Sequence, residues 1–184
     1  MDKLRAENAV RELLVALDRD VDCEALRDTP KRVAETFIQQ CSERPFTYQS
    51  FQEVKHEELT MVRDVPVSSY CAHHLLPWFG RAVVVYIPRK KVVGISKLVR
   101  LVYACSTGFT TQEGVTKDVA DRLYNDFEPL GVMVAINAVH TCMSLRGAKA
   151  FGASTVTSAV RGVMRDNPTA RQEALALMAW EIKQ

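Results

Sequence analysis

The period of the apolar positions changes near residue 60 of the chain. Before that point Leu4, Val10, Leu13, Leu14 and Leu17 recur at helical spacing and predict an amphipathic helix over residues 4–18. A second helix is expected from Thr29-Pro30, with Thr29 as N-cap and Pro30 at the first helical position. Val33, Ala34, Phe37 and Ile38 form its apolar face. Residues 39–57 are polar, include Pro45, and read as a connection. From Met61 the pattern is that of extended chain: Val62, Val65 and Val67 lead straight into Ser69–Gly80, SYCAHHLLPWFG.

Residues 81–95 read as a hairpin, RAVVVYIP and KVVGIS, two β-branched runs around Arg89-Lys90. Ser96 is expected to cap a helix through Leu98, Val99, Leu101 and Val102, and another helix covers 115–127 with Val119, Ala120 and Leu123 inward. A long strand starts at Gly131 and runs through VMVAINAVHTCMSL; residues 154–163 give one more. Asn167-Pro168 caps a final helix ending near Trp180. This order predicts an α+β fold, a largely antiparallel sheet with helices on one face, rather than an alternating doubly wound one. The expected division is an N-terminal helical extension and connection, 1–58, followed by a catalytic domain, 59–184.

Composition narrows the function classes. The 184 residues are 47% hydrophobic and 25% charged, with a net charge of +2, ordinary values for a globular chain. Nothing in that balance argues for nucleic acid or an anionic membrane as partner. No apolar run approaches the roughly 18 residues of a membrane span. The start, MDKLRAENAVREL, lacks the apolar middle of a secretory signal, so a cytoplasmic protein is expected. Five cysteines, an odd number, argue for reduced thiols over a disulfide framework.

Those thiols, with the histidines, carry the candidate chemistry. Cys71 and His74 stand three apart at the end of a predicted strand, and Cys142 arrives from a distant one. Three such donors suit a catalytic zinc ion that keeps a fourth position for water better than a closed structural site. The same residues also suit two buried apolar thiols and a polar turn, and spacing leaves both readings open. Three of the four histidines, His73, His74 and His140, fall in the two stretches, which favours function. His140 and Cys142 share a face if both are in one strand. Ser96, Lys97 and Arg100 begin a helix, where an anion is favoured, and Arg146 follows Cys142; a solvated basic face is the plainer alternative. Glu113, beside Gln112, either complements a helix N-terminus or accepts from the N1–H and amino group of a guanine.

Taken together, LRDTPKRVAETF, VRDVPVSSYCAHHLLPWFGRAVVVYIP, VVGISKLVRLV, TTQEGVT, GVMVAINAVHTCMSLRG and STVTSAVRGV resemble GTP cyclohydrolase I, a zinc enzyme of the tunnelling fold. The resemblance runs from about Leu26 to the C-terminus. It implies Zn2+ on Cys71, His74 and Cys142, proton transfer by His140 and His73, and a triphosphate held by Ser96, Lys97, Arg100 and Arg146. It implies Gln112 and Glu113 at the guanine edge. The implied reaction converts GTP to 7,8-dihydroneopterin triphosphate and formate, in a homo-oligomer, a decamer of stacked rings with sites between subunits. Inside the motifs the chain departs from the family pattern: Ala72 replaces a glutamate, Thr107 and Gly108 stand where arginines are usual, and Gly114 replaces an arginine. Loss of opposite charges together reads as an ion-pair network removed as a unit. It leaves open a divergent member that takes another purine nucleotide or stops at the ring-opened formamidopyrimidine. A non-catalytic zinc-bound scaffold is the alternative from another class.

Overall fold

The computed structural model describes residues 1–47, 56 and 58–179, and the backbone of residues 50 and 51. Two compact units result, Met1–Glu43 and Arg44–Gln184. The first holds α1 (Lys3–Ala16) and α2 (Thr29–Cys41). Asp2 caps α1 by accepting from the Arg5 N–H, and Lys3 reaches Glu35 at 2.6 Å. The cap of α2 is Asp28 and not Thr29, which already lies in the helix. Leu4, Leu13 and Leu17 of the α1 stripe are exposed.

The second unit holds a five-stranded sheet in the order β5-β2-β3-β6-β7, from Phe109–Thr110, Thr60–Cys71, Pro77–Ile87, Gly131–His140 and Thr155–Gly162. All neighbours are antiparallel except β2 and β5. On one face lie α3 (Ile95–Cys105) and α4 (Gln112–Phe127). Their Leu98, Leu101, Val102, Val119, Ala120 and Leu123 pack on Val65, Val67, Val84, Val134 and Ile136 of the strands. Full burial of each larger aliphatic side chain is worth about 1.5–3 kcal/mol. The α+β class with its mainly antiparallel sheet is the expected one. A smaller cluster, Val85, Met133, Met164 and Ala174, joins the opposite face to α6 (Val163–Asp166) and α7 (Pro168–Met178). Asn167 caps α7 through the Thr169 and Ala170 N–H groups; Trp180 lies outside the described residues.

The hairpin expected over 81–95 does not form. β3 is already paired with β2 along one edge and with β6 along the other, so it has no free hydrogen-bonding edge for a third strand. The second β-branched run supplies only β4, Val92–Val93, which pairs with β1, Ser50–Phe51. Its Val93 N–H is held by the buried Tyr86 hydroxyl at 3.0 Å. Helix α3 then begins at Ile95 after Gly94, so Ser96 lies inside its first turn and is not the cap. The connection expected over 39–57 lies partly outside the described residues; α2 takes its start, to Cys41.

Strand β2 carries the device that aims the site. Its register on β3 slips between Val62 and Val65, where Val62 opposes Val84 and Val65 opposes Ala82. Three residues of β2 thus match two of β3, a one-residue bulge, with Asp64 at φ 59°. The extra residue resets the alternation, so that Val62 and Val65 both join the helix-side core, followed by Val67 and Cys71. Without the bulge Cys71 would face the other side of the sheet.

Two expectations follow. Gly80 opposes Ala138, and an added Cβ would run into the Asn137 carbonyl oxygen and lie 2.6 Å from Ala138 Cα. Gly80→Ala should lower stability by about 1–3 kcal/mol, read as a lower midpoint in chemical denaturation. Burial pushes the Cys105 thiol up to about 11, against the opposing pull of Arg122. A raised folded-state value stabilises while the thiol is protonated, and that contribution is lost as pH rises from about 9 to about 11. Over that window Cys105→Ala should lose less stability than the parent chain, measured as melting temperature against pH.

Candidate active site

The residues of the site come from four chain segments that the sheet brings to one end. Cys71 closes β2, and the chain turns back at once: the Cys71 carbonyl accepts from the N–H of Leu75 at 2.8 Å and of His74 at 3.3 Å. The Cys71 N–H in turn meets the Leu76 carbonyl at 2.8 Å, and Leu75 takes φ 54°. This tight loop folds His74 back over its neighbour, with Nδ1 3.7 Å from Cys71 Sγ. His73 Nδ1 lies 3.9 Å from the same sulfur.

Cys142 does not arrive on a strand. β6 ends at His140 and the chain makes a single helical turn, α5, Thr141–Ser144. The turn is pinned by Thr141 Oγ1 donating to the Pro77 carbonyl at 2.6 Å and by Ser144 Oγ to the His140 carbonyl at 3.3 Å. Two residues of strand would have carried Cys142 past the sheet end; the turn swings it back to Cys71. The donor atoms of Cys71, His74 and Cys142 all lie within 4.8 Å of one another. In a tetrahedral zinc site with ordinary bond lengths, sulfur and nitrogen ligands stand roughly 3.6 Å apart. The 3.7 Å between Cys71 and His74 matches that edge. Burial raises the Cys142 thiol and the adjacent Cys71 raises it further. Two sulfurs forced together in this way are a mutual cost that a bound cation reverses. The donor set fits a divalent metal of zinc type.

The third segment is the start of α4. Thr111 caps it by accepting from the Gly114 N–H at 3.1 Å, and the preceding β5 lies parallel to the end of β2, pairing Cys71 with Thr110. Gln112 and Glu113 therefore stand beside the two cysteines. The fourth segment is the end of β6, where His140 opposes Trp78. The two rings stack at 5.6 Å between centroids. Burial lowers the His140 pKa, while the charge of Glu113 pulls it back up. The imidazole thus favours its neutral form.

One cavity of about 200 Å³ unites these groups, lined by Cys71, His73, His74, Gln112, Glu113, His140 and Cys142 with Thr110, Thr111, Met143 and Thr155. A larger hollow of about 470 Å³, near Phe79, Arg81 and Tyr103, has neither metal donors nor a histidine, so volume is a poor guide here. Ser96, Lys97 and Arg100 sit in the first half of α3 and do not line the site cavity of the single chain. Arg146 does not line it either, although its charge is felt at Cys142.

Gln112 corrects one expectation. Its side chain is buried and its amide nitrogen is spent on the Ile136 and Thr155 carbonyls, 2.9 Å each, and Thr157 Oγ1, 3.0 Å. Its oxygen meets His140 Nε2 at 2.7 Å. No side-chain N–H is left to donate to a guanine edge, and the side-chain oxygen is turned to His140. Glu113, by contrast, is exposed and keeps its carboxylate for a ligand. Trp78, Thr155 and Thr157 were not found by sequence reasoning, because they act through strand register across β3, β6 and β7. Pairing of Trp78 with His140 was the one available signal, and it needs the register.

The altered positions lie close by. Ala72 is exposed, its N–H held by the Thr110 carbonyl at 3.1 Å. Gly114 is half-buried, and a Cβ on it would sit 3.0 Å from the Thr111 capping oxygen. Thr107 Oγ1 donates to the Tyr103 carbonyl, and Gly108 takes φ 88°. Ala72 in the open changes the account of the missing charges. A carboxylate there would be solvated within the chain, so its absence relieves no buried ion pair.

The family profile of GTP cyclohydrolase I matches residues 6–179. The GTP cyclohydrolase 1 of Acetivibrio thermocellus is 44% identical over 183 residues, 97% of this chain and 98% of that protein. That of Geobacillus kaustophilus is 47% identical over 179 residues, 94% of each, and that of Bacillus subtilis is 44% identical over 180, 95% of each. Among solved structures, the archaeosine synthase QueF-Like in its apo form gives a TM-score of 0.47 at 18% identity, over 56% of this chain and 93% of that one. With the family profile spanning nearly the whole chain, and relatives 44% identical over 97% of it, the chain belongs to the GTP cyclohydrolase I family.

Proposed function

We propose that this chain opens the imidazole ring of GTP and recloses the product as 7,8-dihydroneopterin triphosphate, taking up one water and releasing C8 as formate. The observation that carries the reading is the convergence of Cys71, His74 and Cys142 with His140 and Glu113 on one cavity, in a member of this family. Zn2+ held by the three donors would supply a water acidic enough to give hydroxide near neutral pH. The chain's own groups do the rest. Glu113 accepts two hydrogen bonds from the guanine N1–H and amino group, a pairing that selects guanine. The neutral form of His140, favoured by burial, can take a proton from the attacking water and then deliver it to the opening ring nitrogen. His73, beside Cys71 and in the open, is the second proton carrier.

The triphosphate clamp is drawn from Ser96, Lys97, Arg100 and Arg146, which offer charge-assisted bonds. Because none of these lines the cavity of one chain, and 200 Å³ is small for a nucleoside triphosphate, a second copy completes the pocket. The assembly is therefore a homo-oligomer with sites between subunits, of which a decamer of stacked rings is the form proposed. Among the described residues no helix is long and apolar enough to cross a membrane, in keeping with a cytoplasmic enzyme.

The reaction is checked by mass analysis of products after incubation with GTP and Zn2+. Dihydroneopterin triphosphate and formate in equal amounts are expected. A formamidopyrimidine end product, or unreacted GTP, would overturn the reading. Cys142→Ser should lose bound metal and turnover together, measured by elemental analysis of the purified protein. His140→Ala should keep the metal and lose about 10²–10⁴-fold in kcat. Since Ala72 is exposed, Ala72→Glu should change the melting temperature little and kcat by less than roughly threefold. A large loss that Gly114→Arg restores would instead reinstate the idea of a network removed as a unit.

A further inference from the structure

Gln112 has every hydrogen-bonding atom of its side chain assigned by its surroundings. The amide is 1% exposed. One of its two terminal atoms faces the Ile136 and Thr155 carbonyl oxygens at 2.9 Å each. Carbonyls only accept, so that atom is the nitrogen, and both its protons are taken. Thr116 Oγ1 donates to the backbone carbonyl of Gln112 at 2.7 Å, which leaves Thr157 to supply the proton of the 2.6 Å contact between the two threonines. The Thr157 oxygen then presents only lone pairs to the Gln112 nitrogen at 3.0 Å, where it shares one of the two protons. An inverted amide would set its oxygen against two carbonyls and the Thr157 lone pairs, which is repulsive on all three sides.

The orientation of the amide dictates that of the imidazole. Gln112 Oε1 can only accept, and it lies 2.7 Å from His140 Nε2. That nitrogen must therefore carry a proton, and a neutral imidazole has only one. Stacking on the fully buried Trp78 blocks one ring face and resists a ring flip that would exchange the two nitrogens.

We propose that Gln112 is a positioning residue that fixes His140 as its Nε2–H tautomer, leaving Nδ1 as the atom that gives and takes the proton of the reaction. This rests on the reading of His140 as the proton-transfer group. Gln112 itself touches no substrate through its side chain; it acts through His140. The chain of control runs from the Ile136 and Thr155 carbonyls on β6 and β7, through the amide, to the imidazole.

The test uses the zinc-loaded full-length oligomer. Gln112→Met keeps the volume and removes donor and acceptor alike. It should lower kcat on the order of 10²-fold, the scale of a misplaced catalytic group, with KM for GTP and bound metal within about threefold of the parent. Thr157→Val perturbs the same buried network but leaves the amide on its two carbonyls; kcat should hold within about threefold even if the melting temperature falls. A loss at Thr157→Val as large as that at Gln112→Met would make the effect merely structural and overturn the proposal. In a His140→Ala background, adding Gln112→Met should leave the residual rate unchanged, and a further tenfold loss would overturn it. If His140→Ala keeps full turnover, the reading of His140 fails. If it does not, but Gln112→Met keeps at least half of kcat, the positioning role fails alone. Independently of activity, solid-state NMR of 15N-histidine protein, with His140 assigned by its absence in His140→Ala, should show neutral His140 protonated at Nε2. A proton on Nδ1 would overturn the assignment.

Discussion

The pairing of β3 with β6 is the contact on which the rest of the site depends. It sets Trp78 opposite His140 and Gly80 opposite Ala138, and it brings the end of the Cys71 hairpin within reach of the Cys142 turn. A strand register is a discrete quantity: a slip of one residue turns every side chain to the opposite face. The site therefore inherits its tolerance from the sheet and not from its own polar contacts. The Thr141 hydrogen bond to Pro77 and the stacking of Trp78 on His140 trim positions that the ladder has already fixed.

A second constraint acts on β2. Its bulge shifts the alternation so that the strand enters and leaves with the same face on the helices, and the last residue to benefit is Cys71. Core packing and metal chemistry thus share one irregularity. The positive φ of Asp64 is tolerated because that residue is exposed, with its carbonyl accepting from Arg81 at 3.2 Å. Local backbone strain is placed where it costs the core nothing.

Much of this was legible in the sequence, for identifiable reasons. The gathering of candidate donors could be read because Cys71 and His74 are close in the chain, and because the histidines cluster in so few stretches. Helices α3 and α4 and strand β7 follow from periodicity alone. The hairpin expected over 81–95 failed because β-branched runs report strand propensity and not partners, and both edges of β3 were taken by strands distant in sequence. Cys142 was placed on a strand because His140-Thr141-Cys142 alternates as a strand does, whereas side-chain bonds to the Pro77 and His140 carbonyls select a helical turn. Gln112 looked like a ligand group because it adjoins Glu113. Only the strand register, invisible in a single sequence, buries it under Thr155 and Thr157.

The loop from Ala72 to Leu76 is closed before any ion arrives, by backbone bonds at both of its ends. Two of the three candidate metal donors therefore sit on a clamp whose chain entropy was surrendered during folding, leaving little to lose on coordination. Toward a cation such a clamp would act as a rigid chelator. Its selectivity would come from a fixed spacing between sulfur and nitrogen that larger, oxygen-seeking cations cannot use.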